Sequence, residues 1–497
     1  MLKKDWFYIL ILIIFSIFLF FYKLGNLPLL DPDEPRYAEV AREMGERNDF
    51  LVPHFNYEIR LKKPPLFYWL IFLSYRIFGV NEFSARFPSA ISGLGGVILT
   101  YFIGANLYDS CVGFLSSLIL ATSLEYLILS RLAITDMLLC FFFLSALLFF
   151  IKYTKEKKKF FLYFFWISLA LSFLTKGPVG LLPLLVILVF SLLEKNFSLF
   201  KELFISIPAL LIFLFLSLSW YLILIFKFGF SEMLSLFREE TWERFFKGYI
   251  HREPFFYFIP VVLAGFFPWT FFLPRVKINF QKDKLLSLWF TVVFLFFSLS
   301  RSKIPTYVIS LFPCLSIFLA SFWKDAFSEK IKNLERKLIL SLSLVFISTV
   351  LLIGGAKIFL QKKYGLALPA GIVYPLVFSL IIFSFFLYKK RPLFPFLSVF
   401  SLPLFFLIFF YRIFALDLGN LRSTRSLILP MRERIKEEDL LIAYNFPKPS
   451  LVFYTQHKII FLQNQEELLN YLEKKERHIW LFSKDKIHST PGVEEVK

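Results

Sequence analysis

The chain has 497 residues, 57% of them hydrophobic and 19% charged. Its mean hydropathy of +0.65 excludes an ordinary water-soluble globular protein and reads as an α-helical polytopic membrane protein. Aromatic residues supply 20% of the chain, which suits lipid-facing helices and excludes collagen-like, low-complexity and disulfide-framework classes. A formal net charge of +19 would point to nucleic acid in a soluble protein. Here the charge must first be divided between two membrane faces, and no nucleic-acid partner is expected. Cys111, Cys140 and Cys314 each sit in an apolar run and read as small packing residues.

A helix needs about 20 apolar residues to cross the hydrocarbon core. In chain order, the first run, residues 6–22, follows Lys3 and Lys4 and has no small-residue cleavage site after it, so it reads as a signal anchor. Further spans are expected near 87–107, 111–130, 135–152, 160–175, 177–193, 203–226, 255–273, 285–300, 304–323, 338–357, 372–388 and 393–414, thirteen in all. With the N-terminus inside, the loops 152–159, 275–284, 324–337 and 389–391 fall on the cytoplasmic side and all are basic, whereas the turns near Arg131, Lys176 and Arg301 fall outside. Residues 65–78 are apolar but short and contain Arg76, so they are expected to lie along the outer interface. The resulting division is a transmembrane domain over 1–414, with outer loops at 25–86 and 227–254, and a small extracytoplasmic α/β domain over 415–497. In that tail, 439–444, 458–462 and 479–482 read as strands and 465–475 as a helix. A helix is also expected over Glu34 to Glu46, with Tyr37, Val40, Ala41 and Met44 on one face and Glu39 and Glu43 elsewhere.

Charges facing lipid are costly, so their placement points to chemistry. They gather at the outer rim. Asp31, Asp33, Glu34, Arg36 and Tyr37 follow the first span. One acid there would serve as a helix cap; several could instead hold a metal or activate a hydroxyl. Lys62 and Lys63 precede Pro64-Pro65, which fixes the backbone and lowers the entropy cost of binding an anion; snorkelling toward headgroups is the competing reading. The turns Arg131 to Asp136 and Arg301 to Tyr307, which includes Lys303, and the segment with His251 and Arg252 should converge above the bundle. A few acids among many cations at the bilayer surface suit a lipid-linked phosphate. There is no Gly-rich phosphate loop, HExxH or nucleophile elbow. A transporter of lipid-linked or small anionic substrates is the rival class, marked by ionisable or broken segments at mid-membrane in two matching halves. Glu125 is the best buried candidate for that role, while Gly93, Gly95 and Gly96 suit close helix packing.

The segments Asp33-Glu34-Pro35-Arg36-Tyr37-Ala38-Glu39, Lys63-Pro64-Pro65-Leu66-Phe67-Tyr68-Trp69 and Asn81 to Ser89 resemble the first-loop signature of bacterial membrane glycosyltransferases related to protein O-mannosyltransferases and lipid A aminoarabinose transferases. Arg131 to Met137, Leu174 to Gly177 and Ser302 to Tyr307 extend the match in order. The resemblance implies a GT-C fold in the plasma membrane, a polyprenyl-phosphate sugar donor, and transfer on the outer face to lipid A or another envelope acceptor. It implies Asp33 as leading catalytic carboxylate and Asp136 as a second acid. Lys63 would bind the donor phosphate, with Arg252 and Lys303 as helpers. Glu34, Arg36, Tyr37, Lys62, Arg131, His251 and Tyr307 would line the pocket. A divalent metal is optional in this reading, because Lys62 stands where aminoarabinose transferases often carry Glu.

Overall fold

The computed structural model describes residues 3–483 apart from 196, 249–251, 280, 282, 329, 332, 366–373, 390, 414–418, 420 and 474–477. The first span is helix α1 (Lys3–Phe21). The outer loop follows as α2 (Asp33–Arg47), a short hairpin of β1 (His54–Phe55) and β2 (Glu58–Ile59), and α3 (Leu66–Phe78). The bundle continues through α4 (Glu82–Leu107), α5 (Ser110–Ala121), α6 (Leu124–Leu129), α7 (Thr135–Glu156), α8 (Phe160–Lys176), α9 (Leu182–Leu193), α10 (Phe197–Ile205) and α11 (Ile207–Phe228). The second outer loop contains α12 (Phe230–Phe237), a π-turn over Arg238–Glu243 and α13 (Arg244–Phe246). Then come α14 (Phe258–Gly265), α15 (Lys284–Leu299), α16 (Phe312–Phe327), α17 (Leu334–Tyr364), α18 (Tyr374–Lys389) and α19 (Leu393–Ile413).

Among the described residues, seven helical segments are long and apolar enough to cross a membrane, and the pair Phe255–Gly265 and Trp269–Arg275, bent by 109°, makes an eighth. Of the thirteen expected spans, those near 372–388 and 393–414 lie partly outside the described residues, and others are short or joined. The 111–130 run breaks into α5 and α6, α15 has 16 residues, and α8 with α9 forms one apolar segment of 34. At 1.5 Å per residue, α15 reaches about 24 Å, short of the roughly 30 Å core.

Local chemistry sets the helix starts and crossings. The Asn81 side chain accepts the Ser84 N–H at 3.0 Å to cap α4, and Asp109 accepts those of Cys111 and Val112 to cap α5. The α4 and α5 backbones meet at Gly104 and Gly113; a Cβ on Gly113 would stand 2.5 Å from the Tyr101 carbonyl. Gly93 leaves room for Ser130, and its carbonyl accepts the Tyr126 hydroxyl at 2.8 Å.

The tail forms a parallel three-stranded sheet of β3 (Leu440–Tyr444), β4 (Ile459–Leu462) and β5 (Ile479–Ser483) in the order β4-β3-β5. Helices α20 (Pro449–Thr455) and α21 (Gln465–Glu473) connect the strands. This unit packs on the first outer loop. Asn56 caps the β4 edge like a neighbouring strand, donating to the Ile459 carbonyl and accepting its N–H, both at 2.8 Å. Because α2 is covered by α3 and by α20, Glu39 and Glu43, expected away from the apolar face, are fully buried. Arg42 pairs with Glu39 at 2.7 Å. Burial, then the neighbouring Glu39, pushes the Glu43 carboxyl up to about 8.

Candidate active site

Asp33 opens α2 without capping it. Pro32 holds the cap position, and among the described residues no side chain caps the helix. The Asp33 side chain is 66% exposed, and its nearest cation is Arg36 at 3.6 Å. Burial, followed by the Arg60 guanidinium, lowers Arg36 from its ordinary value. Arg36 thus lies between the Asp33 carboxylate and the like charge of Arg60. Tyr37 is half-buried one turn further; burial, then the neighbouring Tyr68 and the charges of Asp136 and Asp33, pushes its phenol well above the ordinary range.

Glu34 and Arg131 are spent on the fold. Glu34 takes a two-pronged contact from Arg86 at 2.8 and 2.7 Å and also accepts the N–H groups of Leu30 and Ala133. Arg86 reads the Leu24, Leu27 and Pro28 carbonyls as well. Arg131 binds the Leu19 and Tyr22 carbonyls, which the end of α1 would otherwise leave without partners.

Asp136 lies in the first turn of α7, buried. Its Oδ1 accepts the Lys176 ammonium at 2.7 Å and the Thr306 hydroxyl at 3.0 Å. Lys176 ends α8, where Gly177 at φ +66° turns the chain, a conformation that favours glycine. Its ammonium also sits 4.6 Å over the Tyr307 ring. Lys63 lies 3.6 Å from Glu240, and Arg244 reaches the same carboxylate oxygen at 2.7 Å. Burial, reinforced by the Arg244 guanidinium, pushes Lys63 down to about 8, with Glu240 opposing.

Lys63, Lys176 and Glu240 line a cleft of about 490 Å³, open mouth included, with Arg244 and Asp136 one contact behind them and Asp33 outside its lining. One part is polar, with Lys62, Lys63, Lys176, Glu240 and Thr241; the other is apolar, with Trp220, Tyr221, Met233, Leu236 and Phe237. The pairing suits a phosphate joined to a hydrocarbon chain. Arg252 and Lys303 line a different cavity, described below. His251 lies outside the described residues. Among the described residues no three His, Cys, Asp or Glu side chains converge as metal ligands, and Lys62 adds an ammonium to the cleft. Among the described residues the one carboxylate lining the cleft, Glu240, is already shared by Lys63 and Arg244.

Sequence reasoning missed Glu240, Arg244, Lys176 and Thr306 as site residues. The available signal for the first two was their i,i+4 spacing on an amphipathic loop.

Residues 62–221 match the family described as dolichyl-phosphate-mannose-protein mannosyltransferase. An uncharacterized protein of Aquifex aeolicus (strain VF5) is 33% identical over 411 residues, 81% of this chain and 77% of that one. The undecaprenyl phosphate-alpha-4-amino-4-deoxy-L-arabinose arabinosyl transferase of Wigglesworthia glossinidia brevipalpis is 28% identical over 507 residues, 94% of this chain and 87% of its own. The chain belongs to the GT-C family of membrane glycosyltransferases. The crystal structure of ArnT from Cupriavidus metallidurans bound to undecaprenyl phosphate shares the fold, with a TM-score of 0.75 at 20% identity over 96% of this chain and 90% of that one. As a family member the protein is a multi-pass membrane enzyme that transfers glycosyl groups, and the transporter alternative falls.

Proposed function

We propose that the protein moves an aminoarabinose-class sugar from an undecaprenyl-phosphate donor to lipid A on the outer face of the plasma membrane. The observation that carries this reading is the cleft itself, where Lys63 and Arg244 share Glu240 beside an apolar wall, with Asp136 one contact away through Lys176. The names of the aminoarabinose transferase relatives support the sugar and the lipid carrier, and lipid A as acceptor rests on the resemblance stated from the sequence.

In the proposed chemistry the acceptor oxygen bonds to the anomeric carbon as the carbon–oxygen bond to the lipid phosphate breaks, inverting that centre. The departing phosphate gains charge, which Lys63 and Arg244 are placed to stabilise. Asp136 is neutralised by Lys176 and oriented by Thr306, a poor arrangement for a base but a good one for holding a sugar hydroxyl or developing positive charge. Asp33, exposed and loosely paired, is the better proton acceptor where the acceptor is a hydroxyl. Where it is a phosphate no proton need move, and Asp33 orients the acceptor or stabilises positive charge on the sugar.

The test is transfer by purified protein from undecaprenyl phosphate-aminoarabinose to lipid A, read as a mass increase on the lipid. A product on a peptide hydroxyl with none on lipid A would replace this reading with a protein O-mannosyltransferase-like one.

A further inference from the structure

A two-substrate transferase needs two binding places around one reaction centre, and the structure offers a second cationic cavity. It is lined by Arg252, Arg301 and Lys303 with Ser298, Ser300 and Glu253, and measures about 730 Å³, open mouth included. It shares no lining residue with the cleft at Lys63. The cavity is built by pairing two outer segments, since Arg252 and Ser302 form an antiparallel bridge and the Arg252 Nε donates to the Gly248 carbonyl at 2.6 Å.

Its cations outnumber its carboxylates, since Arg252, Arg301 and Lys303 share the cavity with Glu253 alone among the described residues. Lys303 is almost fully buried, its ammonium held by the backbone carbonyls of Glu253, at 3.0 Å, and Ser300. Two carbonyls leave one of its three donors over. Among the described residues no carboxylate lies within ion-pair distance of Arg252, Arg301 or Lys303, although Glu253 shares the cavity. A buried ammonium bonded only to carbonyls retains its full charge, which favours an anion beside it.

Position relative to the chemistry supplies the second argument. Lys303 is three residues before Thr306, whose hydroxyl binds Asp136; three residues of extended chain span at most about 10 Å. Asp136 therefore stands between the two cationic sites, tied to the donor side through Lys176 and to the second cavity through Thr306. That is the arrangement needed for two anionic substrates that must meet without competing for one phosphate site.

We infer that this cavity holds an anionic phosphate of the acceptor lipid, separate from the donor phosphate at Lys63 and Arg244. The inference rests on the proposed function for the identity of the acceptor, and it moves Arg252 and Lys303 from the donor site to the acceptor site.

The experiment uses the full-length protein in nanodiscs of neutral lipid. Binding is measured for lipid A carrying its phosphates, the same lipid dephosphorylated, phosphatidylglycerol and undecaprenyl phosphate. Arg301→Gln, an exposed position whose change spares the fold, and Arg252→Gln should each weaken phosphorylated lipid A about tenfold while leaving undecaprenyl phosphate within about twofold. Lys63→Ala should do the reverse. Unchanged lipid A binding in both arginine variants, or a matching loss of undecaprenyl phosphate, would overturn the inference. Equal competition by phosphatidylglycerol would also overturn it, reducing the cavity to headgroup anchoring. Normal binding with no sugar transfer to lipid A would defeat the proposed function instead and leave the site standing.

Discussion

Lys63→Ala removes one of the two cations that flank Glu240. Losing a charge-assisted hydrogen bond costs roughly 1.5–3 kcal/mol, or roughly 10- to 150-fold in donor affinity. The geometry places the loss toward the upper end. Glu240 lies 3.6 Å from Lys63 and 2.7 Å from Arg244; without Lys63 its carboxylate stays in the cleft with a single cation to offset it. The donor phosphate then loses an attraction and meets a less compensated negative charge. Turnover should fall further than affinity, because charge on the leaving phosphate grows in the transition state. The assay pairs equilibrium binding of undecaprenyl phosphate with kcat and KM for the sugar donor. Adding Glu240→Gln to Lys63→Ala should recover part of the affinity. Donor affinity and rate within about twofold of wild type in Lys63→Ala would refute the phosphate assignment, since a contact worth that little lies at the exposed-pair level.

Glu240→Gln alone should tighten undecaprenyl phosphate binding several-fold, because it frees Lys63 and Arg244 from a competing carboxylate; weaker binding in a titration would show that Glu240 holds the cations in place. Lys63 titrates near 8, so its positive charge is present below that pH and is lost as pH rises through it. kcat/KM for the donor should therefore fall above about pH 8, and Lys63→Arg should remove that limb of the profile; an unchanged limb would assign it to another group. Arg86→Met strands Glu34 as an unpaired buried carboxylate and should cost roughly 3–5 kcal/mol, read as a lower unfolding midpoint in detergent. A midpoint close to that of wild type would show that the Arg86–Glu34 pair contributes little to stability.

The sequence made the outer rim legible because charge is rare in an apolar chain. It also gave α2, α3 and the strands of the tail to within a residue or two, since their periodicity is strong and local. It could not separate Asp136 from Glu34 or Arg131, which are all charged residues on outer turns. The difference lies in what the fold brings nearby: Glu34 meets Arg86, 52 residues away, and Arg131 meets the end of α1, over 100 residues away. Glu240 and Arg244 stayed hidden for the same reason, because their loop reads only as amphipathic until Lys63 is placed beside it. Span bounds are hardest to read where a short helix such as α15 has bundle neighbours on several sides, for then apolarity reports burial in protein as much as contact with lipid.

The segment that carries Asp33 is fixed from two directions, which bears on how an exposed carboxylate can work at a defined place. From the membrane side, Arg86 binds the carbonyls of Leu24, Leu27 and Pro28 and the Glu34 carboxylate. From the tail, Ser450 gives its N–H and hydroxyl to Asp31 at 2.8 and 2.6 Å, and the Tyr454 hydroxyl accepts the Leu29 N–H at 2.9 Å while donating to Glu82 at 3.0 Å. The Arg422 carbonyl takes the Asp31 N–H at 2.8 Å. Among the described residues Asp33 itself has Arg36 as its one ion-pair partner. Its neighbours in the chain are immobilised while its own carboxylate remains open, so the entropy of ordering the loop is met by residues that do no chemistry. The small α/β unit thereby gains a physical reason for sitting on this loop: its contacts converge on Leu29 and Asp31, four and two residues before Asp33.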